Sequence, residues 1–318
     1  MSFTVQPLPG CNVFGAVIND LDPASISDPA VRKRLHDLWI EKGVIVFKGL
    51  ADLDTQISLS EIYGEPEEHP LLVGINRPRE HFVIAEIEYV EEDGDLYEIG
   101  GEERGGYLPW HFDLAYLEKI NHGGILRAAV LPKRGGETGF IDRIAAYDAL
   151  PERLKVRIEG LRVIHRYLAD ATKARFGERP EKCIQLSRNI VLALEHPAVQ
   201  NPVTHPLVYT QAETGRQVIN VSPWHAVGIE GMENAEGDAL LGEVIDHLIR
   251  PQLAYFHKWE LGDMVLWDNW RMLHCALGVP RGDQRKVRRT TIAGDYALGR
   301  PFVSDSAAVA ASGLPGAT

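Results

Sequence analysis

The segment Trp110-His111-Phe112-Asp113 constrains the fold more than any other part of the chain. A histidine and a carboxylate two residues apart point to one side only on extended backbone, because strand side chains alternate with period two. On a strand or its edge, both can grip one metal ion. Two ligands leave a site incomplete, and a facial set of two histidines and one carboxylate needs its third member from elsewhere in the fold. The candidate lies far downstream. Gly262 to Trp270 (GDMVLWDNW) reads as a tight turn feeding an apolar strand, and Arg271-Met-Leu-His274 follows, placing His274 at the mouth of a barrel.

The rest of the chain reads as a β core decorated with helices. Phe3 to Ile18 alternates around Pro and Gly breaks, as paired short strands do. The spacing of Val31, Leu35, Leu38 and Trp39 predicts a helix over 29–41, closed by Lys42-Gly43 before a buried strand, Val44-Ile45-Val46-Phe47. A second helix is expected over 54–63. Strands follow at 123–132 and 138–142, with a helix from Ile144 into 151–158. Further strands are expected at 202–208, 217–221 and 264–267, with a helix over 235–250. Residues 1–302 are expected to form a single domain. Within it, 74–106, acidic and glycine-rich in its second half, is a candidate lid, and 160–201 is a candidate substrate-cap insertion. Residues 303–318, Ala-, Ser-, Gly- and Pro-rich, read as a flexible tail.

Charge and cysteine usage exclude several classes. A formal net charge of -12 argues against nucleic-acid binding, which needs basic surface to displace counterions from phosphates. Three cysteines without CxxC pairing suggest neither a disulfide framework nor a thiolate zinc site, and fit a reducing cytoplasm. No export signal and no membrane span is read.

The donor set leaves two metals open. Two nitrogens and one carboxylate suit Fe(II), with three positions free, enough for a bidentate 2-oxo acid and dioxygen. Zinc accepts the same ligands and would activate a water instead. The residues after His274 favour iron. A strand over 285–292 sends Arg285 and Arg289 to one face, where a guanidinium suits the distal carboxylate of a 2-oxo diacid and a second cation suits an anionic substrate.

Together these segments resemble the taurine dioxygenase and 2,4-dichlorophenoxyacetate dioxygenase family of Fe(II)/2-oxoglutarate enzymes. The likeness is carried by WHFDLAY from Trp110, GGETGFIDRIAAYDAL from Gly135, PLVYTQAETGRQVINVS from Pro206, and GDMVLWDNWRMLH from Gly262. It implies a double-stranded β-helix, or jelly roll, with the metal between the sheets. His111, Asp113 and His274 are then the iron ligands, Thr138 and Arg285 bind 2-oxoglutarate, and Arg289 binds the substrate anion. Tyr107 stands where taurine dioxygenase carries an asparagine near its substrate, and Trp270 where the family usually has arginine, so taurine is not the expected substrate.

The implied activity consumes 2-oxoglutarate and O2 and hydroxylates, and thereby can cleave, a small anionic substrate such as a carboxylic acid, aryloxyalkanoate or sulfonate, releasing succinate and CO2. A biosynthetic hydroxylase or desaturase keeps the same fold, and a non-catalytic metal-binding jelly-roll sensor is the alternative of another class. A homodimer or tetramer is expected from the resemblance alone. His122, His165, His205, His225 and His257 are read as packed or solvent-facing side chains, Trp110 as packing and Arg288 as surface.

Overall fold

A computed structural model describes residues 3–71 and 83–303. The strand Val44–Phe47 is buried at every position because it is covered on both faces. Val44 and Val46 turn toward Leu126, Val265, Trp267 and Val287, and meet Phe140 and Met272 of a facing sheet. Ile45 and Phe47 turn the other way, onto Leu35, Leu38, Trp39, Leu59 and Tyr63 of two helices, Pro29–Lys42 and Leu53–Tyr63. Period-two alternation therefore supplies both a sheet-to-sheet core and a helix-to-sheet core from one apolar run. The helices start where side chains can satisfy free N–H groups: Asp28 accepts from Ala30 and Asp52 from Thr55.

Two sheets carry the architecture. The eight-stranded sheet runs in the order Thr4–Pro7, Ala16–Asn19, Val44–Phe47, Met264–Asp268, Gly123–Val130, Arg285–Ile292 and Pro66–Glu67, with Ile84–Tyr89 also pairing the 285–292 strand. The six-stranded sheet runs Lys182–Gln185, Leu96–Ile99, Glu102–His111, Met272–Pro280, Thr138–Asp142 and Ala254–His257. Strands near in space are distant in sequence, the mark of a jelly roll, and the fold is mainly β with helices outside, as expected. Gly123 is fixed by packing, since a Cβ there would stand 2.4 Å from the Trp267 carbonyl oxygen. The helix Ala235–Leu248 and two shorter ones, Arg143–Asp148 and Glu152–Ile158, cover the outer side of the second sheet through Ile141 and Leu273.

The stretch expected to be a lid, 74–106, divides. Residues 74–82 lie outside the described residues; 84–106 forms the strands Ile84–Tyr89 and Leu96–Ile99 and the start of Glu102–His111. Its acidic side chains are cross-strand partners of the basic run: Glu86 meets Arg288 at 2.9 Å and Glu88 meets Lys286 at 2.9 Å. The 160–201 stretch likewise adds strands, Arg162–His165 to a separate four-stranded sheet and Lys182–Gln185 to the edge of the six-stranded one. The single expected helix beyond Ile144 is two, interrupted at Pro151, whose ring cannot continue the first. Of the expected tail, 303–318, residues 304–318 lie outside the described residues. Among the described residues no helix is long and apolar enough to cross a membrane.

Candidate metal centre

His111 closes the strand Glu102–His111 and lies directly opposite His274 in the antiparallel ladder with Met272–Pro280. Their rings sit 4.2 Å apart between centroids. Asp113 follows two residues on, with its Oδ1 3.8 Å from His111 Nε2 and 3.5 Å from His274 Nε2. One donor atom from each of the three lies within 4.8 Å of the others, and all three side chains are buried. The ladder explains the convergence: antiparallel register brings two histidines 163 positions apart in sequence into one pair, and the HxD spacing adds the carboxylate.

Protonation states suit a divalent metal. The His111 Nδ1–H donates to the Pro109 carbonyl at 2.7 Å, which leaves the Nε2 lone pair for an ion. Burial, and then the neighbouring His274, lowers His111 to about 3, so it is neutral near pH 7. Burial alone would raise Asp113, but Arg289, followed by His274, holds its carboxyl well below the usual carboxylate range. Arg289 Nη2 stands 2.9 Å from Asp113 Oδ2, at ion-pair distance, yet neither atom makes an aligned hydrogen bond. A buried carboxylate oxygen and a buried guanidinium left short of partners are what a site built for further ligands presents.

Beside the triad lies an anion site. Arg285, Val287 and Arg289 occupy alternate positions of the strand Arg285–Ile292, and Val287 is packed in the core between the sheets, so both arginines point inward as the even spacing predicted. Arg285 donates through Nη2 to Thr138 Oγ1 at 3.3 Å and through Nε to the Gly136 carbonyl at 3.2 Å. Among the described residues no carboxylate pairs with it, and burial pulls its guanidinium down to about 10. Thr138 Oγ1 also accepts from Trp259 Nε1 at 3.0 Å. With both lone pairs taken, the threonine O–H is free to donate.

Tyr107 does not join this group. The ladder pairs His274 with His111 but Ala276 with Leu108, so the 102–111 strand carries an extra residue near Pro109 and Trp110. That bulge reverses the alternation: Tyr107 pairs with Leu277 on the opposite face and packs edge-on against Tyr97. Arg288 pairs with Glu86, away from the centre, and Trp110 packs against Phe256. His122 stacks on Trp270, His257 pairs with Asp263, and His165 accepts from the Ser222 N–H, so none of these is a ligand.

Sequence reasoning missed four kinds of residue. Trp259 has no motif signal. Asn269 stood within the quoted Trp-Asp-Asn segment without a role; its side chain is bonded to the backbone of Asp113. His69 feels both Arg289 and Asp113, and burial first, then Arg289, lowers it to about 3. Finally, an aromatic wall runs outward from His111: Trp224 at 5.5 Å, His225 stacked on Trp224 at 4.5 Å, then Tyr116 at 4.8 Å and Tyr167 at 4.9 Å. Leu71, Leu114, Ala193 and Val199 extend it as an apolar cluster. The residues of this wall come from separate segments, and no spacing within any one of them announces it.

The family model described as taurine catabolism dioxygenase TauD, TfdA family matches residues 4–291. The chain is 32% identical over 287 residues to the alpha-ketoglutarate-dependent 2,4-dichlorophenoxyacetate dioxygenase of Burkholderia sp. (strain RASC), covering 89% of this chain and 92% of that one. It is 33% identical over 309 residues to the (S)-phenoxypropionate/alpha-ketoglutarate-dioxygenase of Sphingobium herbicidovorans, covering 93% and 96%. In fold it is similar to the crystal structure of a taurine dioxygenase from Burkholderia xenovorans, with a TM-score of 0.71 over 98% of this chain and 99% of that chain, at 24% identity.

Proposed function

Because the chain belongs to the taurine catabolism dioxygenase TauD, TfdA family and is an iron(II)- and 2-oxoglutarate-dependent dioxygenase, we propose that His111, Asp113 and His274 hold the iron, that Thr138 and Arg285 hold 2-oxoglutarate, and that Arg289 receives a small organic anion. Family membership also decides between the two metals that the donor set leaves open. The observation that carries the residue assignment is Arg285, a half-buried side chain whose guanidinium has a hydroxyl and a carbonyl for partners and, among the described residues, no carboxylate. Such a cation is a standing cost unless a ligand supplies the counter-charge.

With dioxygen and 2-oxoglutarate present, the iron supplies the oxidation, in which 2-oxoglutarate gives succinate and CO2 and the substrate gains one oxygen atom. The chain's own contribution is position and charge. Arg285 and the free Thr138 O–H grip the distal carboxylate, with Trp259 holding the threonine oxygen in place. Arg289, drawn toward Asp113, offers Nε and Nη2 to an incoming anion. The wall of Trp224, His225, Tyr116 and Tyr167 suits a flat apolar body and keeps water from the centre.

The favoured substrate is therefore an acid with an aryl body, of the aryloxyalkanoate kind. Hydroxylation at the carbon between ether oxygen and carboxylate gives a hemiacetal, which collapses to a phenol and a 2-oxo acid. A cytoplasmic setting belongs to the same proposal and is supported by three free cysteines. The test is anaerobic loading with Fe(II) and 2-oxoglutarate, then air and a panel of aryloxyalkanoic acids, arylsulfonates and amino-acid derivatives, following succinate and phenol. Stoichiometric phenol and succinate from an aryloxy acid, lost in His111→Ala, is the expected result. Succinate stimulated only by non-aromatic substrates would overturn the substrate class, and no succinate with any acid would overturn the site.

A further inference from the structure

We propose that Asn269 is a positioning residue that sets the direction of the Asp113 carboxylate and so tunes metal affinity. The inference rests on reading Asp113 as a ligand. The Asn269 side chain is fully buried and acts as a substitute strand neighbour: its Oδ1 accepts from the Asp113 N–H at 2.8 Å, and its Nδ2 donates to the Asp113 carbonyl at 3.1 Å. Nδ2 is shared with the carbonyl and Oδ1 of Asn121, at 3.1 and 3.2 Å.

The clamp acts where the backbone needs holding. Leu114, next to Asp113, has φ 59, a left-handed conformation that among the described non-glycine residues only Asp20 shares. A leucine stays there only when its surroundings impose it. Asn269 is itself fixed from separate segments: its N–H donates to the His122 carbonyl at 2.8 Å, and its own carbonyl accepts from Arg143 Nη2 at 2.8 Å. It lies in the turn between the strands Met264–Asp268 and Met272–Pro280, five residues before His274. One amide therefore ties the carboxylate-bearing loop to the histidine-bearing strand, and the relative placement of the ligands follows from it.

The test is metal binding by the apoprotein, independent of turnover. Co(II) is titrated into wild type, Asn269→Ala, Asn269→Asp, Asp113→Ala and Asn220→Ala, reading affinity by calorimetry and ligand-field spectrum. Asn220 is the control: it donates to the Tyr296 hydroxyl at 2.7 Å and accepts from Arg143 Nη1 at 2.9 Å, and is equally buried without touching Asp113. Asn269→Ala and Asn269→Asp are expected to weaken Co(II) by about 10- to 100-fold and to change its spectrum, while Asn220→Ala destabilises the fold but binds like wild type. Asn269→Asp keeps the shape and the acceptor for the Asp113 N–H, so it carries the test if the alanine variant does not fold. If Asp113→Ala loses binding while either Asn269 variant stays within twofold of wild type, the positioning role is overturned. If Asp113→Ala binds like wild type, the ligand assignment beneath it fails instead.

Discussion

Arg285→Met should move stability and ligand binding in opposite directions. Burial without a counter-charge lowers the Arg285 guanidinium from its ordinary 12.5 to about 10, which corresponds to about 3 kcal/mol of destabilisation near neutral pH. Methionine keeps an apolar stem in that space. It forgoes hydrogen bonds to Thr138 Oγ1 and the Gly136 carbonyl, roughly 1 kcal/mol each, so the apoprotein gains about 1 kcal/mol, or about 2 °C in Tm. Binding responds the other way. Removing one member of a buried charge pair costs about 2–5 kcal/mol, so 2-oxoglutarate affinity falls roughly 30- to 3,000-fold. The assay is thermal unfolding with and without 2-oxoglutarate, the metal site filled with Mn(II), alongside direct calorimetry. At about 100 times the wild-type Kd the ligand stabilises wild type by about 2.7 kcal/mol and the variant by less than about 1 kcal/mol. Affinity within threefold of wild type refutes the assignment of Arg285. Lost affinity together with a less stable apoprotein refutes the argument from buried charge.

Trp259→Phe removes one hydrogen bond to Thr138 Oγ1; it should raise the KM for 2-oxoglutarate about 5-fold with little change in kcat, by steady-state kinetics. Tyr107→Phe should leave substrate kinetics within about twofold of wild type, because its strand turns it away from the centre; a large change in KM would mean that the bulge does not reverse that face. Acid should unfold the protein before it strips ordinary carboxylates. Burial lowers His122 and His205 to about 4 and His165 further, while the unfolded chain takes up these protons near 6.5, so stability is full above that value and is lost as pH falls. By pH 5 these three histidines cost about 2 kcal/mol each and Asp95 and Asp268, raised by burial to about 6, return about 1 each, so these five groups alone destabilise by about 4 kcal/mol; His69, His111 and His225, also lowered by burial, add to the loss, which urea titrations at pH 7 and 5 measure. Equal midpoints at the two pH values would count against these histidines being buried neutral.

What was legible in the sequence followed from local periodicity. Val44–Phe47, Pro29–Lys42 and Arg285–Ile292 each declare themselves within 14 residues or fewer, because their burial pattern is written into consecutive side chains. The segment after Ile84 does not. Its glutamates look like a solvated run until the strand carrying Lys286 and Arg288 is laid beside it, when the charges prove complementary across the ladder. Neither run shows this alone, since the information resides in the pairing. The same reasoning accounts for Trp259, which is defined by what it touches.

The centre shows how far spacing can be trusted. His111 ends its strand and Asp113 lies in the turn just past it, where the two-residue spacing still brings both side chains to one point, while Arg285 and Arg289, four apart within a strand, share a face by alternation. Tyr107 and His111 are also four apart on one strand, and here alternation fails, because Pro109 and Trp110 insert an extra residue opposite Cys275. Proline there has no N–H to give to a ladder, and its carbonyl turns to hold His111 Nδ1. The bulge that misplaces Tyr107 therefore also orients a proposed ligand. A regular strand would have kept Tyr107 facing inward and would have lacked the carbonyl that fixes the histidine, so the departure from periodicity is part of what builds the site.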